Sequence, residues 1–197
     1  SSLTLSGANT FGGSGKNITF NNGTLNINNA TALGSASNTF VINGGYIDNT
    51  SGSAKTLTNN NPMTWNGDFY FLGSSDLNFG TGAVTLGVDC AVYSGAVLTV
   101  GGVIGGAHSL SINSYGPSGG VTLSGANTFG GSGKNITLNN GTLNINNATA
   151  LGSASNTFVI NGGYIDNTSG SAKTLTNNNP MTWGGDFYFL GNNPLNF

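Results

Sequence analysis

Apolar and polar residues alternate along most of this chain of 197 residues, and an alternation of period two is typical of β-strands with one buried face. Helical periodicity is absent from the pattern, and the helix formers Glu and Arg do not occur at all. The alternation predicts strands in residues 1–79 at Leu3–Leu5, Ile18–Phe20, Thr24–Ile27, Phe40–Ile42, Tyr46–Asp48, Lys55–Thr58, Met63–Trp65, Phe69–Leu72 and Leu77–Phe79. It predicts further strands at Ala83–Leu86, Ala91–Tyr93, Val97–Val100, Ser109–Ile112 and Val121–Leu123.

The chain contains the same block twice. Residues 3–79 reappear as residues 121–197, at an offset of 118, and 71 of the 77 positions are identical. The six differences are Leu3/Val121, Phe20/Leu138, Asn66/Gly184, Ser74/Asn192, Ser75/Asn193 and Asp76/Pro194. A long internal period is typical of repeat architectures. We therefore divide the chain into a first unit, residues 1–120, and a partial second unit, residues 121–197, and expect the predicted strands to recur in the second copy.

The spacing of the strands predicts a solenoid. Gly-containing dipeptides separate the apolar runs, for example Asn22-Gly23 and Asn43-Gly44, and they supply the positive φ angles that sharp corners need. Comparable runs headed by Leu5, Leu25, Ile47 and Phe69 lie about 20–24 residues apart. Three short strands and three corners would use that length, so one unit would form five or six coils. Stacking at about 4.8 Å would give each unit a rise of about 25–30 Å.

Amide side chains at the corners suggest a second kind of stacking. Asparagines on successive coils can hydrogen-bond along the axis, as amide ladders do in cross-β stacks. We expect this at Asn21-Asn22, Asn28-Asn29 and Asn59-Asn60-Asn61.

The charge content excludes two classes of partner. Only four lysines and six aspartates are charged, about 5% of the chain, against roughly 25% in an average soluble protein. Such a surface lacks the basic patch of a nucleic-acid-binding protein, and it lacks the Lys/Arg excess that binds anionic membranes. We therefore expect neither a nucleic acid nor a membrane surface as a partner.

Candidate site residues are few. Cys90 alternates with apolar neighbours and is predicted to be a small buried residue, although a reactive or cross-linking thiol stays open. The segment Gly12–Asn17 resembles a phosphate loop and a calcium nonapeptide. A phosphate loop would need Gly at position 10 and Ser or Thr at position 17, and a calcium nonapeptide would need Asp at position 17. This chain has Thr10 and Asn17 there. His108 has no second histidine to form a metal site. We predict no catalytic, cofactor-binding or metal-binding residues, and no cofactor.

Three further possibilities remain open. A glycosidase needs two carboxylates, and the first unit offers Asp48, Asp68, Asp76 and Asp89. Two of these recur at the same positions of the second copy, as structural residues would. The aromatic residues around Trp65 and Trp183 could stack on sugars, although they more often fill a core. Thr56-Leu57-Thr58 invites an ice-binding interpretation, which would require the array on every coil.

One segment resembles a known family. Residues 3–27, LTLSGANTFGGSGKNITFNNGTLNI, and their copy at 121–145 are similar to the passenger-associated transport repeat of bacterial autotransporters. The matching positions are Leu3, Leu5, Gly7, Asn9, Thr10, Phe11, Gly13, Ile18, Gly23, Leu25 and Ile27, and residues 30–48 resemble the downstream part of such repeats. Lys16-Asn17 lengthens a loop that is usually short in the family. The resemblance covers about 45 residues of each copy.

The resemblance implies an all-β fold, a right-handed parallel β-helix built from tandem repeats of about 118 residues. It also implies a location outside the cell or on the bacterial surface, with an outer-membrane barrel elsewhere in the parent chain. We predict a non-enzymatic structural protein that forms a stiff stalk, fibre or surface filament and associates with itself end to end or laterally. The alternative is an adhesin passenger that binds host surfaces or glycans. A less favoured alternative is a β-helix enzyme that cleaves polysaccharides.

Overall fold

The computed structural model describes residues 1–116 and 118–197, and these form one β-solenoid of about nine turns. All strand pairs between coils are parallel, and the described residues contain no helix. The predicted all-β parallel solenoid is thus confirmed. Because no helix is present in these residues, none is available to span a membrane.

The strands form four parallel sheets along the solenoid axis. The first sheet contains, in order along the axis, β1 (Ser2–Leu5), β3 (Thr24–Ile27), β5 (Tyr46–Asp48), β8 (Phe69–Phe71), β11 (Cys90–Ser94), β14 (Leu110–Ser114), β16 (Asn135–Leu138), β18 (Thr157–Ile160) and β21 (Met181–Trp183). The second sheet contains β2 (Asn17–Phe20), β4 (Thr39–Ile42), β7 (Met63–Trp65), β10 (Val84–Leu86) and β13 (Ile104–Gly105).

The other two sheets complete the coils. The third sheet contains β6 (Lys55–Thr56), β9 (Leu77–Asn78), β12 (Val97–Val100), β15 (Gly120–Leu123), β17 (Thr142–Ile145), β19 (Tyr164–Asp166) and β22 (Tyr188–Phe189). The fourth sheet is a pair, β20 (Lys173–Thr174) and β23 (Leu195–Asn196), and it takes the place of the second sheet in the last coils.

Every predicted strand of the first unit overlaps an observed one, usually to within two residues. The pattern missed β13, whose two residues are too few to show an alternation. The predicted strands Ala83–Leu86 and Ala91–Tyr93 correspond to β10 and β11, and Val88 at the corner between them is 38% exposed.

The two copies occupy different faces of the solenoid. A full coil passes through the second, the first and then the third sheet. However, β2 lies in the second sheet and its copy β16 in the first, while β3 lies in the first sheet and its copy β17 in the third. From β2 up to β16, the chain contributes five strands to the second sheet, one in each coil, and β16 itself lies in the first sheet. The offset of 118 residues therefore corresponds to about five and one-third coils of about 22 residues. The second copy is therefore rotated by about one third of a coil.

The core consists of ladders of identical or similar side chains. The register aligns Leu3 with Leu25, Leu25 with Ile47 and Ile47 with Phe71. The spacing inferred from the sequence is right, but the ladder passes through Leu3 and Phe71 rather than Leu5 and Phe69. Cys90 pairs with Leu110 in an adjoining ladder and is 3% exposed, as predicted. Each coil therefore buries its apolar side chains against the coils above and below it.

Amide ladders run along one corner. Asn43 Nδ2 donates to Asn21 Oδ1 at 2.7 Å, and Asn66 Nδ2 donates to Asn43 Oδ1 at 3.1 Å. The second copy has the same ladder, with Asn161 donating to Asn139 at 2.8 Å. The other predicted corners differ. Asn28 bonds Thr50, and Asn59 and Asn61 donate to backbone carbonyls of the preceding coil.

The two ends of the solenoid expose residues that their copies bury. Phe11 is 46% exposed, whereas its copy Phe129 is fully buried because the coil that contains β13 covers it. Leu3 and its counterpart Val121 show the same contrast. The duplicated sequence thus provides pairs of nearly identical local sequence in different tertiary environments.

This contrast leads to a test. We expect Phe129→Ala to lower the free energy of unfolding by about 3–5 kcal/mol, because it leaves a cavity in a packed core. Phe11→Ala should cost less than about 1 kcal/mol, since that ring is already half in water. Urea unfolding followed by circular dichroism gives both values. Equal losses for the two variants would contradict the assignment of the second copy to the interior of the stack.

Candidate functional site

The aspartates hold successive coils together. Asp48 accepts hydrogen bonds from Ser74 N at 2.8 Å and Ser74 Oγ at 2.6 Å, 26 residues further along the chain, and also from Asn49 N. Asp68 accepts from Ala91 N at 2.7 Å, and Asp76 accepts from Val97 N at 3.0 Å. Each carboxylate is therefore bonded to a backbone N–H group of the next coil.

Asp89 also contacts a backbone N–H group of the next coil. It accepts from Ser109 N at 2.8 Å, and Lys134 Nζ lies 3.1 Å and His108 Nδ1 3.3 Å from Oδ1. The backbone bond, followed by Lys134, lowers the pKa of Asp89 below its ordinary value. The cluster is exposed, so it is a surface ion pair. His108 interacts with a carboxylate here, which the sequence did not indicate.

The glycosidase interpretation would need two free carboxylates. The carboxylates of the first unit are instead anchored to backbone amides one coil away. Within the described residues no group of three or more His, Cys, Asp or Glu could hold a metal ion. Asp186, the copy of Asp68, is exposed in the last coil.

The glycine motif of the sequence forms a corner. Lys16 N donates to Gly13 O at 3.1 Å, and Gly13 N donates to Asn38 Oδ1 at 2.7 Å. Gly12 and Gly13 have positive φ angles, and a Cβ at Gly12 would overlap the Asn38 side chain. The glycines thus allow the loop to pack against Asn38, which explains their position in structural terms.

Cys90 is a buried thiol. Its Sγ donates to Gly67 O at 3.3 Å, and burial raises its pKa to about 12. The reactive species of cysteine is the thiolate, which this environment suppresses at neutral pH. The folded protein thus gives Cys90 no means of cross-linking.

The aromatic clusters around Trp65 and Trp183 differ in exposure between the two copies. Trp183, Asp186 and Tyr188 line a hollow of about 510 Å³ at the end of the solenoid, and Trp183 is 68% exposed. In the first copy Trp65 is 1% exposed, because Leu86 of the next coil pairs with it. The hollow therefore corresponds to the surface that the coil containing Leu86 covers in the first copy. In the first copy Trp65, Phe69 and Phe71 lie in the core, whereas Tyr70 is 37% exposed on the side of the solenoid.

The Thr-x-Thr array does not continue along the third sheet. Thr56 pairs with Asn78, and Asn78 pairs with Thr99, but Gly80 and Gly101 take the place of the second threonine. The result is an uncharged trough of about 560 Å³ rather than a flat threonine surface. The ice-binding interpretation required the array on every coil and is wrong.

Tyrosines form a stripe on the outer face of the first sheet, exposed at Tyr46 and Tyr70 and half-buried at Tyr93. Tyr46, Tyr70 and Tyr93 are in register, and the rings of Tyr70 and Tyr93 stack with centroids 4.5 Å apart. Tyr115 packs beside Tyr70 at 6.2 Å. The copies Tyr164 and Tyr188 stack at 5.6 Å on the third sheet. The sequence pattern did not reveal this stripe, because the contributing residues lie about 23 positions apart.

A cleft lies where the stripe of the first unit ends and the second copy begins. It is an open cleft with a volume of about 470 Å³. Its lining residues are Ser114, Tyr115, Gly116, Asn140, Gly141, Thr142 and Tyr164. All of them are uncharged. Unlike the hollow that Trp183 lines at the end of the solenoid, this cleft lies on the side of the stack.

The fold and the internal repeat define the class of protein as a tandem-repeat β-solenoid. The chain is similar to the adhesin BmaC autotransporter of Brucella suis biovar 1 (strain 1330), with 33% identity over 152 residues. The similarity covers 71% of this chain and 4% of that protein. The resemblance inferred from the Gly-Ala-Asn-Thr-Phe motif is thus confirmed. No family model and no solved structure matches the chain.

The carboxylate contacts lead to a prediction. Asp48→Ala removes the acceptor of two backbone amides in a buried site, so we expect a loss of about 2–4 kcal/mol in the free energy of unfolding. Asp186→Ala is the control, because that side chain is exposed in the last coil. It should change stability by less than about 0.5 kcal/mol. If the control were as destabilising as Asp48→Ala, bonding between coils would not be the role of these residues.

Proposed function

We propose that this chain is part of the extracellular passenger of a bacterial surface adhesin, in which the β-solenoid forms a stiff rod. The observation that carries the proposal is the continuous stack of parallel coils in a chain that resembles an autotransporter adhesin. The chain spans about 4% of the length of that relative, so the role of the whole protein is part of the proposal. A non-enzymatic role is supported by the structural use of the aspartates.

Rigidity follows from the pairing. In a solenoid each coil contacts only its neighbours, so stability adds up along the axis and length can grow with each repeat. The backbone bonds, the apolar ladders and the amide ladders all run in that direction. Such a rod would hold its sides away from the cell surface, which suits adhesion to a host surface or a glycan.

Surface location can be tested on intact cells of the source bacterium. Antibodies raised against residues 1–197 should label intact cells, and external protease should remove the label. A mutant that lacks the parent protein should attach less well to host cells. Labelling only after lysis would overturn the surface location, and unchanged attachment of the mutant would overturn the adhesin role.

We further propose that the solenoid can associate end to end. The last coil exposes Trp183, Phe189 and Leu190, and the first coil exposes Leu3 at 58%. Inside the chain the equivalents of Trp183 and Leu3 are covered by an adjacent coil: Leu86 pairs with Trp65, and Leu98 pairs with Val121. A head-to-tail contact of this type does not close, and it therefore builds a filament.

The expected result for the isolated chain is a molecular mass that rises with concentration in sedimentation velocity. Trp183→Lys places a charge on the exposed coil and should suppress this association, as edge charges do in natural sheets. Tyr46→Lys, on the side of the solenoid, is the matched control and should associate like the unmodified chain. If Tyr46→Lys abolished association and Trp183→Lys did not, the contact would be lateral.

A further inference from the structure

We propose that the cleft between Tyr115 and Tyr164 binds a neutral saccharide. The cleft is built from the end of the segment that occurs once, residues 80–120, and from the start of the second copy. The proposal rests on the adhesin function proposed above, and it assigns to that function a site and a class of ligand.

Tyr115 forms a fixed aromatic wall. Its hydroxyl donates a hydrogen bond to Phe71 O at 2.7 Å, and its ring packs at 6.2 Å from Tyr70. The side chain nevertheless remains 50% exposed. A ring held in place before binding loses little conformational entropy when a ligand packs on it. Tyr115 therefore offers an ordered apolar surface to the C–H face of a sugar.

Tyr164 is the second aromatic residue that lines the cleft. It is 43% exposed, and its ring stacks on Tyr188 at 5.6 Å with an interplanar angle of 27°. Asn140, which also lines the cleft, accepts a hydrogen bond at Oδ1 from Ser114 N, and this bond fixes its amide. Asn140 and Thr142 supply an amide and a hydroxyl group, and such groups both donate and accept. Vicinal sugar hydroxyls require that combination.

The lack of charge favours a neutral ligand. Among the described residues, no Lys, Asp or His lines the cleft, so these residues supply no group to neutralise a phosphate, a sulfate or a sialic acid carboxylate. A peptide strand would need an open sheet edge. The strands that border the cleft, β14, β16, β17 and β19, each pair with a neighbour on both sides, so they offer no open edge there. The observations thus favour a neutral saccharide over an anion or a peptide that binds as an added strand.

Repetition would strengthen a weak site. The walls and polar groups come from a junction between units, so each further junction of the same sequence would add one cleft. Because successive units are rotated by about one third of a coil, these clefts would lie on different sides of the rod. Several weak sites on one rigid rod bind a multivalent glycan surface far more tightly than one site does. A millimolar affinity for a single cleft is therefore compatible with adhesion.

The test uses residues 1–197 labelled with ¹⁵N and four probes: lactose, maltose, N,N′-diacetylchitobiose and, as the charged comparison, 3′-sialyllactose. At about 10 mM, which populates a millimolar site, at least one neutral sugar should shift the amide signals of residues 114–116 and 140–142. Tyr115→Ala and Tyr164→Ala should each raise the Kd about tenfold, the effect expected for loss of an aromatic contact.

Two variants separate binding from folding. Tyr46→Ala is the matched control, because Tyr46 is the copy of Tyr164 but lies outside the cleft, and it should leave the Kd unchanged. Tyr115→Phe keeps the ring and should keep most of the affinity. The proposal is overturned if no neutral sugar shifts these signals, or if Tyr46→Ala weakens binding as much as Tyr164→Ala. Failure here together with normal attachment of the bacteria would reject the cleft and leave the adhesin function intact.

Discussion

The parallel hydrogen bonding between coils is the constraint on which the rest of this protein depends. Each strand can satisfy its backbone N–H and C=O groups only if the next coil places a strand in register about 4.8 Å away. That requirement fixes a coil of about 22 residues and aligns similar side chains in ladders. It also leaves the first and last coils with one unpaired side each, which explains why Trp183 is exposed although its copy Trp65 is buried.

The unusual composition follows from the same stacking. Residues on successive coils lie directly above one another, so a charged side chain at a repeated position would face a like charge at close range. Asparagine avoids this repulsion, because its amide donates to the coil on one side and accepts from the coil on the other, as Asn43 does. The few aspartates present occupy sites where backbone N–H groups of the next coil meet the carboxylate, as at Asp48 and Asp68. The low charge thus reflects the repeated geometry of the coils.

The non-integral number of coils per unit places equivalent surface motifs on different sides of the solenoid. If 118 residues made a whole number of coils, every copy of a surface motif would lie on the same side of the rod. The offset of about one third moves the tyrosine stripe from the first sheet at Tyr46 and Tyr70 to the third sheet at Tyr164 and Tyr188. A rod with this geometry displays its motifs around its circumference. Such a display suits contact with a surface that can approach from any side.

The sequence alone determined the class of fold, because alternation of period two, glycine corners and a spacing of about 22 residues act locally and are visible along the chain. It also located Cys90 in the core and fixed most strand boundaries. Only the tertiary structure decided the features that depend on how far the second copy is rotated about the solenoid axis. Residues of nearly identical local sequence, such as Phe11 and Phe129, differ in burial only because one of them has a coil above it. Likewise, Tyr115 and Tyr164 line one cleft. They do so because the position of each residue around the axis depends on the number of coils that precede it, and no local sequence pattern shows that number.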